Sequence, residues 1–175
     1  KTGHHDARIV ATKVADPARL TPSALRAWLK ACANYVITDA VAAVAADTPE
    51  ALASALEWID DPGEWVASAG WTTLALLAMR GALDEALAER LVTRIERGIH
   101  DAPNRTRHAM NSALIAIGGA MPGLRARALA AARGIGRVEV DHGETGCKTP
   151  DAATMIGKMA ARKTAAKSVT TASKT

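Results

Sequence analysis

Thr-Pro stands at three places in the chain, Thr21-Pro22, Thr48-Pro49 and Thr149-Pro150. Each pair reads as the start of a helix. The threonine hydroxyl can cap free amides, and a proline at the first helical position gives up a donor that has no partner there in any case. Around these starts lie stretches with apolar residues at helical spacing, closed by breakers such as Asp16-Pro17 and Asp60-Asp61-Pro62-Gly63. The pattern predicts helices over His4–Ala15, Thr21 to about Cys32, Tyr35–Ala46, Thr48–Ile59, Trp65–Arg80, Asp84–His100, Pro103–Gly118, Pro122–Arg133 and Thr149–Lys163. Trp65–Arg80 is apolar almost all round, as a helix packed between neighbours should be. Asp84–His100 instead places Leu87, Leu91, Ile95 and Ile99 on one side and arginines on the other.

Helices of roughly 10 to 17 residues, joined in pairs by short turns, fit a helical solenoid better than a four-helix bundle. Alanine dominates the apolar residues, Phe is absent and β-branched runs are short, so close contacts between small side chains replace a sheet core. The expected fold is an all-α superhelix forming one domain over residues 1–163. Residues 164–175 are Ala, Lys, Ser and Thr with little to bury, and read as a flexible basic tail. The chain opens on Lys-Thr-Gly with a helix already under way at His4, so a missing N-terminal segment is expected.

Cys32 and Cys147 are the two cysteines, far apart. No basic leader with an apolar core and cleavage site precedes the first helix, and the longest apolar run, around Trp71 to Met79, falls short of the roughly 18 residues of a membrane span. These features predict a reduced, cytoplasmic protein that acts as a monomer, without a membrane partner. The net charge of +4 is unevenly spread. Asp39 to Glu64 holds seven acidic residues and no Lys or Arg, whereas Arg90 to Arg137 holds nine arginines against Glu96 and Asp101. Arginine forks suit phosphate, so matching faces of successive helix pairs would form a phosphate track. Arg105, Arg107, Arg125 and Arg137 are the candidates, with Arg127, Arg133 and His108 beside them and Lys148 near the last helix start.

Several stretches resemble the DNA alkylation repair family, the HEAT-like solenoids that include alkylpurine DNA glycosylases. They are "GHHDARIVATKVADP", "NYVITDAV", "EWVASAGW", "NRTRHAMNSALIAIG" and "IGRVEVDHGETGCKTPDA", and the similarity runs from about Gly3 to Lys163. The resemblance implies a HEAT-like fold, double-stranded DNA, alkylated or not, as partner, no cofactor, and excision of N-alkylated purines. Such a base is already a good leaving group. The protein then needs to stabilise the oxocarbenium character on the sugar and position water, which one carboxylate beside an aromatic face can do. In the glycosylase members an aromatic residue precedes an aspartate by four positions, and here those positions are Tyr35 and Asp39. The family's arginine and second aromatic correspond to Ser68 and Ser112, which leaves Trp65 or Trp71 to supply stacking surface, or else leaves a protein that binds DNA without excision.

The stretch from Val138 to Ala152 differs in character, with Asp141, His142, Glu144 and Cys147 close together. A metal site would need a fourth ligand from His100, His108 or Cys32, and lacks Cys-x-x-Cys or paired histidines; no metal is expected. A Cys147 nucleophile with His142 as base has no substrate logic in the family. The favoured reading is a stiff connector: Val138 and Val140 lay one apolar edge on the end of the stack, Gly143 and Gly146 turn with positive φ, and Lys148 can meet an anion.

Overall fold

The computed structural model describes residues 4–172, with side chains to residue 162. The described residues form α1 (His5–Val14), α2 (Pro22–Lys30), α3 (Tyr35–Ala45), α4 (Ala51–Trp58), α5 (Glu64–Met79), α6 (Glu85–Gly98), α7 (Asn104–Ala120), α8 (Arg125–Ile135) and α9 (Ala152–Ala172), with 3-10 turns at Pro17–Arg19 and Pro122–Leu124. No strand occurs among them, and no helix is long and apolar enough to cross a membrane. The backbone of residues 164–172 continues α9 where a flexible basic tail was expected, while their side chains, and residues 173–175, lie outside the described residues.

The three Thr-Pro pairs are not equivalent. Thr21 caps α2 as expected, its hydroxyl accepting from the Ala24 amide at 3.2 Å. Thr48 instead donates back to the Ala45 carbonyl at 2.8 Å, and α4 begins at Ala51 without a side-chain cap. Because α3 ends just before it, the nearest unsatisfied group is a carbonyl rather than an amide. The Thr149 hydroxyl meets His142 Nε2 at 3.0 Å, leaving Asp151 to accept from the Thr154 amide at 2.7 Å. Elsewhere Asn34 and Asp84 cap α3 and α6 through the Ile37 and Leu87 amides.

The helices stack as pairs α2/α3, α4/α5, α6/α7 and α8/α9, with α1 laid on α3. Second members pack side by side in the order α3, α5, α7, α9, and α5 is central, as its all-round apolar pattern requires. Its close approach to α4 depends on Gly70, where a Cβ would lie 2.8 Å from the Ile59 amide nitrogen and 2.9 Å from the Ala55 oxygen. The core divides into two clusters. One holds Leu25, Leu29, Ile37, Val41 and Trp58; the other runs from Ala51 to Ile156 and includes Trp71, Leu74, Ile95 and Leu114.

First members touch differently. Arg26 of α2 pairs with Glu57 and Asp61 at α4. Arg94 of α6 donates to the Ile59 carbonyl at 2.8 Å and pairs with Asp60 at 2.7 Å, while its guanidinium lies 5.7 Å from the Trp71 ring centre. Arg127 of α8 donates to Thr93 and Glu96 of α6. Long side chains therefore staple the first helices together, whereas the second helices meet mainly through buried apolar residues, with polar links at their edges such as Arg80 to Asp47. The second members α3, α5, α7 and α9 form the continuous, closely packed inner row of the stack, and the first members α2, α4, α6 and α8 its outer row.

Candidate functional site

Tyr35 opens α3 and Asp39 follows one turn later, so both point from the same face of a helix in the inner row. Tyr35 is 39% exposed. Asp39 is exposed on one side, yet the flanking helices strip enough water from its carboxyl to push its pKa above the ordinary carboxylate range. Arg105 nearby and the Thr72 hydroxyl, 3.4 Å from Oδ1, pull in the opposite direction.

Arg105 comes from the first turn of α7 and its guanidinium carbon lies 4.3 Å from the centre of the Tyr35 ring. Its backbone is held from α5: the amide donates to Glu64 Oε1 at 2.6 Å, and its carbonyl accepts from the Ser68 hydroxyl at 3.3 Å. Thr106 adds a hydrogen bond to the Glu64 carbonyl at 3.2 Å. Tyr35, Asp39, Ser68, Thr72 and Arg105 thus converge from three helices onto one patch of the inner row.

Arg107, two positions on, does something else. One terminal nitrogen donates to the Glu139 carbonyl at 2.9 Å and the other to the Ala102 carbonyl at 3.0 Å. It belongs to a stripe on α7 at i, i+3, i+4 and i+7 that binds the loop between α8 and α9. Asn104 exchanges two 2.7 Å hydrogen bonds with the Asp141 backbone, the His108 ring packs edge-on against His142 at 5.6 Å, and Asn111 donates to the Pro150 carbonyl at 3.0 Å. The spacing of Asn104, Arg107, His108 and Asn111 was readable as one polar face of a helix, but not what covers it. His108 sits between Arg105 and His142 and is partly buried; burial first, then those two neighbours, lowers its pKa to about 4 and keeps it neutral.

The loop lays Val138 into the core with Val140 packed beside it, while Glu139 and Asp141 face outward. Gly143 turns with φ +64°, as expected; Gly146 does not have positive φ, because hydrogen bonds from Thr145 to the His142 carbonyl and from the Cys147 amide to Thr145 shape that corner instead. A cleft of about 940 Å³ beside the loop brings Arg107, Arg137, Asp141, His142, Cys147 and Lys148 together. Arg137 lies 3.7 Å from Glu139, and Lys148, Glu144 and Cys147 are exposed. His142 spends Nε2 on Thr149 rather than on the thiol. Among the described residues no three His, Cys, Asp or Glu side chains are grouped to hold a metal ion. Arg125 opens α8 in the outer row, away from the Tyr35 patch, and Arg127 is one of the staples.

The family profile of DNA alkylation repair enzymes matches residues 1–156. The chain belongs to the DNA alkylation repair family. Two uncharacterized proteins, from Listeria innocua and Listeria monocytogenes, are each 30% identical over 145 residues, covering 82% of this chain and 63% of their own length. The chain therefore spans less than two thirds of those curated relatives. A solved structure from a family of proteins related to the HEAT-like repeat DNA glycosylases, with affinity for branched DNA structures, matches with a TM-score of 0.85 at 28% identity, over 93% of this chain and 71% of that one. The all-α solenoid is thus HEAT-like.

Within the DNA alkylation repair family pattern, the two serine departures are absorbed into structure. Ser68 bonds the Arg105 carbonyl, and Ser112 donates to the His108 carbonyl of its own helix at 3.1 Å. Trp71 cannot supply a stacking surface in their place, being 1% exposed and covered by Arg94. Trp65 is half-buried against the first core cluster.

Proposed function

We propose that this chain binds DNA, in duplex and branched forms, along the inner row of α3, α5 and α7, with Arg105 as a phosphate contact. One observation carries this reading: the Arg105 guanidinium rests on Tyr35 and makes no side-chain hydrogen bond or ion pair with any described residue. The staple arginines Arg26, Arg94 and Arg127 are by contrast all bonded to acids. A fork held in place yet unspent is suited to a phosphate oxygen. Family membership and the likeness to proteins with affinity for branched DNA support the same partner.

The test is binding to duplex and four-way-junction DNA over a series of salt concentrations. Affinity should fall log-linearly with salt, and Arg105→Ala should reduce the slope by about one. Affinity insensitive to salt, or absent, removes the reading.

A second reading, excision of N-alkylated purines, is favoured by Asp39 standing one turn from Tyr35 at an open surface. Asp39 would stabilise the oxocarbenium character of the sugar and orient water. Release of base from N7-methylated duplex, abolished in Asp39→Asn, is the expected result; no release by the parent protein rejects it.

A further inference from the structure

We propose that Arg105 sets the charge selectivity of this patch, reserving it for phosphate oxygens and turning away bases that carry a positive charge. The proposal rests on the DNA-binding reading, stands against the excision reading at the same patch, and names the chemistry of the ligand. A cationic base entering here would be drawn to two features, the π face of Tyr35 and the carboxylate of Asp39. Both already serve a cation of the protein's own. The guanidinium lies 4.3 Å from the ring centre, and Asp39 lies within its field.

The position of Arg105 is imposed from below rather than adopted by chance. Glu64 holds its amide, Ser68 holds its carbonyl, and Thr106 ties the next residue to the Glu64 backbone. The side chain therefore starts from a fixed point at the mouth of the patch. A second positive charge brought to the same ring meets like charge within a few ångströms, with one carboxylate between the two. An anion meets the reverse: the unspent terminal N–H donors of a planar fork that rests on an aromatic face. Ser68 contributes by holding Arg105 from beneath without adding charge of its own.

The experiment compares affinity for two duplexes of one sequence, unmodified and carrying a single N7-methylguanine, as a ratio for each variant. The parent should bind the unmodified duplex at least as tightly as the methylated one. Arg105→Ala should weaken binding of the unmodified duplex and shift the ratio about five- to tenfold towards the methylated one, the range expected when a cation gains an uncovered aromatic face. Arg105→Gln, which keeps the backbone clamp and a side-chain stem, should shift it the same way and guards against loss of fold. Adding Tyr35→Leu to either should return the ratio to about one.

Tyr35 is the single tyrosine, so tyrosine-labelled protein gives one set of ring signals. In Arg105→Ala the methylated duplex should move those signals further than the unmodified one. If the parent binds duplex in a salt-dependent way but neither neutral variant shifts the ratio, or the shift survives loss of Tyr35, charge selection by Arg105 is wrong and DNA binding stands. A parent that binds no duplex overturns both.

Discussion

The outer row of the solenoid and the Tyr35 patch of its inner row use arginine in opposite ways. In the outer row Arg26, Arg94 and Arg127 reach to the neighbouring helix and end on acids or carbonyls, so each acts as a spacer between repeats. In the inner row Arg80, at the end of α5, makes one such link to Asp47 and the Ala46 carbonyl after α3, whereas Arg105 is anchored by its backbone and leaves its guanidinium on an aromatic ring with no acid bonded to it. The same residue type is a staple between the outer helices and, at Arg105, a half-buried contact with unbonded donors. Counting arginines along the chain therefore overstates the phosphate track; what matters is which face of its helix each leaves and what it meets there, as Arg105 and Arg107 of α7 show.

The sharpest break between the rows should come from the packing beneath them. Trp71→Ala, at the heart of the inner row and 1% exposed, should destabilise the protein by about 4 kcal/mol in denaturant unfolding, from lost burial and the cavity left behind. A loss below that of an outer-row staple would mean that the inner row is not the stack's main core.

Acid should separate the rows next. His108 titrates near 6.5 when unfolded and near 4 when folded, so as pH falls through that interval the unfolded chain gains a proton that the native one refuses. Its contribution is complete above pH 6.5 and is lost down to pH 4, on the order of 2 kcal/mol. His108→Gln should flatten that part of a stability profile measured against pH. An unchanged acid limb would place the cause elsewhere.

Smaller still is the effect of cutting one staple. Arg94→Ala loses an ion pair between side chains that are 42% and 68% exposed, a carbonyl hydrogen bond and a stacked contact, and should cost about 1 kcal/mol. Arg127→Ala should leave the salt dependence of DNA binding unchanged, whereas an outer-row arginine that altered the slope would erase the distinction drawn above.

Much of this was legible in the letters, and the failures have one physical origin. Apolar spacing and breakers located the helices, the alternation of Val138 and Val140 located an extended edge, and the one-turn spacing of Tyr35 and Asp39 placed them on one face. Periodicity says which residues share a side of a helix; it does not say which neighbour lies on that side. Arg105 and Arg107 differ by two positions, about 200° around α7, and so went to different tasks despite adjacent places in the same basic stretch. Nor could the sequence show that the Thr48 hydroxyl would find a carbonyl behind it before an amide ahead, or that Ser68 would serve an arginine from two helices later. Each depends on contacts between segments more than thirty residues apart, or on where the preceding helix happens to stop.

The division of the core into two clusters has a further consequence for the inner patch. Tyr35 and Asp39 ride on α3, whose buried side belongs to the first cluster, while Arg105 rides on α7, rooted in the second, and α5 contributes to both. The patch is therefore assembled across a seam. Slippage of one block on the other would scatter its charges while each block kept its own packing, so recognition should fail at a milder perturbation than unfolding does.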